Sequence, residues 1–158
     1  MSGELTHRAT GTLEKMRATV EGDGTVAYRL PLGDSEISLN PLLGRRLQLR
    51  FEDAIYCTAC GRKTNKSFNQ GYCFPCFQKL AACDSCIVSP EKCHFAAGTC
   101  REPSWAEQFC MTDHWVYLAN STGLKVGITR GNQVPTRWLD QGASAAVLFA
   151  RTATRHLA

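Results

Sequence analysis

Thiols carry most of the chemistry this sequence could do. All nine cysteines lie between Cys57 and Cys110, and two of the four histidines, His94 and His114, sit in or beside that stretch. Cys57 and Cys60 form one C-x2-C pair and Cys73 and Cys76 another, with twelve residues between the pairs. Thiolates are ligands that zinc accepts readily, and two such pairs can bring four of them to one tetrahedral ion. Gly61 after the first pair and Pro75 within the second are turn residues, and tight turns let backbone N–H groups point at the sulfurs. Disulfides are the competing use of cysteine. An odd count and the lack of an apolar export segment over residues 1–24 argue for structural metal and a cytoplasmic, reducing compartment.

Further on, Cys83 and Cys86 make another C-x2-C pair, followed by Cys93, His94, Cys100, Cys110 and His114. These seven candidates cannot fill two complete four-ligand sites, so at least one does something else. Cys83, Cys86, Cys93 and Cys100 form the first set, at steps of 3, 7 and 7 that suit a loop wrapped around one ion. A competing set closes the site with Cys110 and His114, a C-x3-H pair able to share one face of a helical turn. Two zinc ions per chain are expected, with an iron–sulfur cluster as the alternative at the second site, since four cysteines are all it needs. His94 is read as a neighbour of a ligand that binds nothing itself.

The elements that must position these residues follow from patterning. The reading is α+β in three parts: a small antiparallel β region over 1–56, a cysteine-rich metal module of zinc-ribbon type over 57–111, and a partial α/β domain over 112–158. Residues 11–55 alternate in the period of a strand, with a hairpin signal at Glu21-Gly-Asp-Gly24 and a strong strand expected over Arg46–Phe51. A short helix is expected over Phe77–Ala82, and a second one with Ser104 as its cap and Glu107 three residues on. After His114, a buried-type strand, a turn and a second strand make a hairpin. Pro135 then opens a helix that Gly142 closes, and an apolar third strand follows.

Composition narrows the function classes. With 158 residues, 44% hydrophobic, the chain is globular, and no run approaches the ~18 apolar residues of a membrane span. Small modules bury little core, and pinned metal is a common remedy. The formal charge of +4 is uneven: residues 1–56 carry seven basic and eight acidic groups, 57–111 six and four, 112–158 five and two. The basic excess suits a phosphate-bearing partner. Arg62, Lys63 and Lys66, with Phe68 and Tyr72 nearby, could grip a nucleic-acid backbone and stack a base.

Tyr117-Leu-Ala, then Lys125-Val-Gly-Ile-Thr129, then Arg137-Trp resemble the core of the GIY-YIG nuclease superfamily, in a divergent branch. The whole chain, with Cys60-Gly-Arg-Lys-Thr64, Gly71-Tyr-Cys-Phe-Pro-Cys-Phe77 and Arg137-Trp-Leu-Asp-Gln-Gly-Ala143, resembles an uncharacterised prokaryotic family joining zinc-ribbon cysteines to such a domain. The resemblance implies that Tyr117 takes the place of a catalytic tyrosine and Arg137 that of the phosphate-stabilising arginine, with Lys125 where a second tyrosine would stand. A lysine with a pKa of ~10.4 is a poor base at neutral pH. No glutamate follows Glu107 to hold the divalent ion, although Asp113 or Asp140 could be recruited.

Three functions are therefore weighed. The first is a zinc-binding protein that binds DNA or RNA, alone or in a ribonucleoprotein, through Arg62, Lys63, Lys66, Lys125, Arg130 and Arg137 on a degenerate domain. The second is a magnesium-dependent nuclease using Tyr117, Lys125 and Arg137. The third is a zinc-stabilised protein–protein adaptor. Binding without turnover, and without a membrane, is the reading preferred.

Overall fold

The structure, a computed structural model of the chain, describes residues 8–158. The irregular start expected over 1–10 falls largely outside the described residues. Two compact units divide at Glu52 and Asp53. The metal module and the C-terminal hairpin, read from sequence as separate segments, lie in one unit of residues 53–158.

In the first unit, β1 (Arg17–Val20), β2 (Val26–Leu32) and β3 (Ser35–Ser38) make an antiparallel sheet in that order. Asp23 and Gly24 close the first hairpin as the sequence predicts. Glu21 takes the Gly24 N–H at 2.9 Å, and Gly24 adopts φ +83°, a left-handed conformation that costs glycine nothing. Asn40 clasps the central strand from outside, accepting the Tyr28 N–H and donating to the Val26 carbonyl, each at 2.8 Å. The strand expected over Arg46–Phe51 does not form. Those residues pair with no other strand, and Leu47, Leu49 and Phe51 stand exposed. Alternation states which face a strand would bury, but a ladder also needs a partner, and Arg46–Phe51 pairs with neither edge of the β1–β2–β3 sheet.

In the second unit, β4 (Ile55–Tyr56) and β5 (Lys63–Thr64) form a two-stranded hairpin. The short helix α1 (Phe74–Lys79) starts three residues earlier than expected, because Pro75 sits in its first turn, where its missing N–H costs nothing. Helix α2 (Pro103–Phe109) likewise begins at Pro103 with Glu102 at its cap, and Ser104 is inside it. Ser104 therefore does not cap the helix. The Glu102 carboxylate is used elsewhere and accepts the Ala81 N–H at 2.6 Å.

A three-stranded antiparallel sheet ends the chain: β6 (His114–Asn120) lies between β7 (Leu124–Arg130) and β8 (Ala145–Thr152). The register pairs Tyr117 with Gly127 and Ala119 with Lys125. Strand alternation thus puts Trp115, Tyr117 and Ala119 on one face with Lys125, Gly127 and Thr129. A bulge at Phe149 shifts β8 by one residue, so Val116 opposes Ala150 while Tyr117 opposes Leu148. The helix α3 (Thr136–Leu139), shorter than the sequence suggested, lies on the Tyr117 face, with Trp138 packed edge-on to that ring at 6.2 Å. Among the described residues, no helix is long and apolar enough to cross a membrane.

Candidate metal centres

Two knuckles build the first centre. The β4–β5 hairpin turns tightly around Cys57, which accepts the Gly61 N–H at 2.8 Å through its carbonyl and donates its own N–H to Arg62 at 2.9 Å. Gly61 takes φ +69°, so the turn residue read from sequence has a conformational reason. The second pair opens α1: Cys73 stands at the cap, and Cys76 lies in the first turns. Before it, Asn69, Gln70 and Gly71 all take positive φ in a reversal closed by Phe68 and Tyr72. Thr58 then fastens the knuckles together, its backbone N–H donating to the Gly71 carbonyl at 2.9 Å and its hydroxyl to the same oxygen at 3.3 Å. A side chain on Gly71 would meet Thr58 Cγ2 at 2.7 Å, so the fastening requires glycine there. Phe68, half-buried, stacks on Phe77 at 5.5 Å and tilts against the exposed Phe74 at 5.3 Å, a small aromatic cluster beside the knuckles.

This local folding brings the Cys57, Cys60, Cys73 and Cys76 sulfurs within 4.8 Å of one another. The Cys60 and Cys73 sulfurs are 3.8 Å apart. Zinc–sulfur bonds of about 2.3 Å at tetrahedral angles put the ligands roughly 3.8 Å apart, so the donor set and its spacing both fit zinc. Cys57 and Cys73 are almost fully buried, and Cys60 faces solvent. Without a cation the four thiols cannot all ionise together. The Cys73 backbone N–H, aimed at Cys57, holds that thiol down to about 6, while Cys76, bonded to the Cys73 thiol and then penalised by burial, is pushed up to about 12. A dication is what lets all four become thiolates. None of the nine cysteines forms a disulfide.

The next pair separates. Cys83 is buried close enough to Tyr72 that its charge, like those of Cys57 and Cys76, opposes ionisation of that phenol, after burial itself. Cys86, two residues past the intervening Asp84, faces elsewhere. It lines a cavity with Cys93, Cys100 and Cys110, backed by Phe95 and Trp105. Burial, then the charges of Asp84 and of Cys93, Cys110 and Cys100, push the Cys86 thiol up to about 11. The cavity thus takes Cys110 where the first sequence-derived set has Cys83. His114 is not in its lining; it sits buried in β6 with Nδ1 donating to the Thr112 carbonyl at 2.7 Å.

His94 joins Asp84 and Cys86 in a second close group of possible ligands. Its Nδ1 meets the Thr99 hydroxyl at 2.9 Å and its Nε2 the Asp84 carboxylate at 3.4 Å. Asp84 in turn binds Arg101 Nε at 2.8 Å. Burial opposes ionisation of Asp84, but the Cys86 N–H and the Arg101 guanidinium outweigh it and hold the carboxyl below its usual value. Sequence reading passed over Asp84 and Arg101; an acid inside a C-x2-C pair was the available signal. It also passed over Arg155, which donates through Nη2 to the Ile87 carbonyl at 2.6 Å and through its backbone to Cys110 at 2.8 Å.

The remaining candidates divide by exposure. Arg62, Lys63, Lys66, Lys125 and Arg137 are exposed, with Lys66 lying 5.2 Å over the Phe68 ring. Arg130 is half-buried, its guanidinium 4.5 Å over Phe109. Tyr117 is only 1% exposed, and its hydroxyl accepts the Gln141 amide at 2.8 Å. Asp113 is engaged by Arg151.

The family model described as "Protein of unknown function (DUF2797)" matches residues 44–158, which include every cysteine and the C-terminal sheet. No curated protein and no solved structure matches.

Proposed function

We propose, from the premise that this chain belongs to the DUF2797 family, that it is a zinc-holding protein that binds nucleic acid. The first cysteine quartet holds the zinc and fixes the loop that carries Arg62, Lys63 and Lys66. The C-terminal sheet and α3 carry Lys125, Arg130 and Arg137.

One observation carries this reading. Among the described residues, none of these six cations is ion-paired to a carboxylate; Arg45, Arg46, Arg50, Lys79 and Lys92 are likewise unpaired, while Arg17, Arg29, Arg101 and Arg151 are paired. Cations left without acids on a folded surface are available to phosphates, which arginine can grip through a bidentate fork and lysine as a point charge. The resemblance to the GIY-YIG core adds support through the order of elements, a hairpin followed by a short helix and a third strand. Tyr117 supports binding over cleavage, because a buried phenol already bonded to Gln141 is poorly placed to activate water. Asp113, held by Arg151, is a poor metal ligand for the same reason.

The test is equilibrium binding of the zinc-loaded chain to labelled DNA and RNA across a salt series. Affinity should fall steeply with salt; three phosphate contacts would cost more than tenfold between about 50 and 200 mM. Arg137→Ala should weaken binding and lower the slope of log K against log salt by about 1. With Mg²⁺ present the probes should remain intact. Cutting that disappears in Tyr117→Phe would establish the nuclease reading instead. Binding to neither probe, or binding indifferent to salt, would leave the adaptor reading in front.

A further inference from the structure

We propose that Cys86, Cys93, Cys100 and Cys110 hold an iron–sulfur cluster of the four-iron class, a centre distinct in kind from the zinc site. The inference stands on the cavity alone and does not depend on the nucleic-acid reading.

Sulfur spacing is the first argument. The first quartet closes wholly within 4.8 Å, whereas among the described residues these four cysteines do not form such a group, and only Cys86 belongs to one, with Asp84 and His94. A single zinc ion would need its ligands at roughly 3.8 Å. A cubane cluster asks for more room, because each thiolate caps a different iron, and the capping sulfurs then stand roughly 6 Å apart. Four cysteines that share one cavity without closing into a compact group of the zinc-site kind are arranged for the larger object.

The chain supplies these ligands from four independent places. Cys86 lies in the turn Ser85–Ile87, Cys93 follows the turn Pro90–Lys92, Cys100 precedes α2 and Cys110 caps its far end. Steps of 7, 7 and 10 residues let the backbone wrap around a body several ångströms across. Helix α2 acts as the spacer between the last two ligands.

The surroundings suit such a centre. Apart from Asp84 and His94, the walls are cysteine and apolar side chains, including Phe95, Trp105 and Ala106. Exclusion of water and the charge around the sulfurs are what set a cluster's potential. Four thiolates on a doubly charged core leave a net charge of about −2. Arg155, anchored on Ile87 and Cys110, places a cation beside that charge. The competing group of Asp84, Cys86 and His94 offers only one thiolate, and its carboxylate is already taken by Arg101.

The test is metal and sulfide analysis of the full chain purified without oxygen, or reconstituted with ferrous iron and sulfide. The expected product is brown, absorbs near ~400 nm, and contains about four iron and four acid-labile sulfide per chain alongside about one zinc. Cys93→Ser and Cys100→Ser should lose the absorption and the labile sulfide while keeping the zinc, and the retained zinc reports that the first centre is folded. Cys83→Ser should keep the full cluster. Two zinc equivalents with no labile sulfide in anaerobic and reconstituted wild-type protein would overturn the proposal. A cluster that survives Cys93→Ser and Cys100→Ser, or that disappears in Cys83→Ser, would overturn the ligand assignment.

Discussion

Cys60→Ser is expected to yield a chain without zinc at the first centre and without a stable fold around it. Zinc bound by four thiolates contributes on the order of 10 kcal/mol or more in small zinc modules, and that energy is also folding energy. Whole domains are stable by only about 5–15 kcal/mol. The knuckle region cannot make up such a loss from its core, because beyond the cysteines it has only the half-buried Phe68 and Phe77 in ring contact, with Phe74 exposed beside them. Cys60 is the informative ligand to remove, because it is exposed and its serine replacement leaves no buried cavity. Elemental analysis should show one zinc fewer, and the variant should be insoluble or lose its cooperative thermal transition. A variant melting like the parent would remove the structural zinc assignment. Ligation by thiolates also means that zinc uptake displaces protons, so affinity for zinc should decline as pH is lowered.

Tyr117→Ala is expected to be the most damaging change in the C-terminal sheet, at about 3–5 kcal/mol, as for other large buried aromatics truncated to alanine. The ring is buried at the centre of β6, against Trp138 and directly over Gly127. A Cβ on Gly127 would lie 2.4 Å from the tyrosine ring, so the glycine of this strand is where the aromatic fits. Tyr117→Phe keeps the ring and forfeits only the bond from Gln141, worth about 1 kcal/mol. Denaturant melts of the two variants separate packing from hydroxyl. Equal losses would mean that the ring is not what holds this face together.

The first cysteine cluster was legible in the sequence because its members are local: two C-x2-C pairs with turn residues beside them carry most of their own geometry. The terminal hairpin was legible for the same reason, since the register from His114 to Arg130 follows from one turn. Arg46–Phe51 was misread because alternation shows a face without showing a partner. The start of α2 was misplaced because two rules competed, and Pro103 at the first turn won over Ser104 as a cap. The second cysteine group needed tertiary information. Cys83 and Cys86 form a pair by spacing, yet the consecutive turns Ala81–Cys83 and Ser85–Ile87 send them to different surroundings. Cys110 reaches the cavity only because α2 spans the distance. Gln141, which occupies the Tyr117 hydroxyl, lies inside the Arg137–Ala143 phrase, but nothing in that phrase says which side chain it meets.

The link between Thr58 and Gly71 bears on time rather than on affinity. It ties the two knuckles by main chain and hydroxyl, independently of the ion. Were one sulfur to let go of a zinc ion bound there, the tether would keep that sulfur nearby, at an effective concentration in or above about the millimolar range. Recapture would then outrun escape. Zinc held this way leaves only when several ligands open together, which favours a long residence and slow exchange with competing chelators. A zinc ion bound there would be part of the protein's framework for as long as the knuckles stay tied.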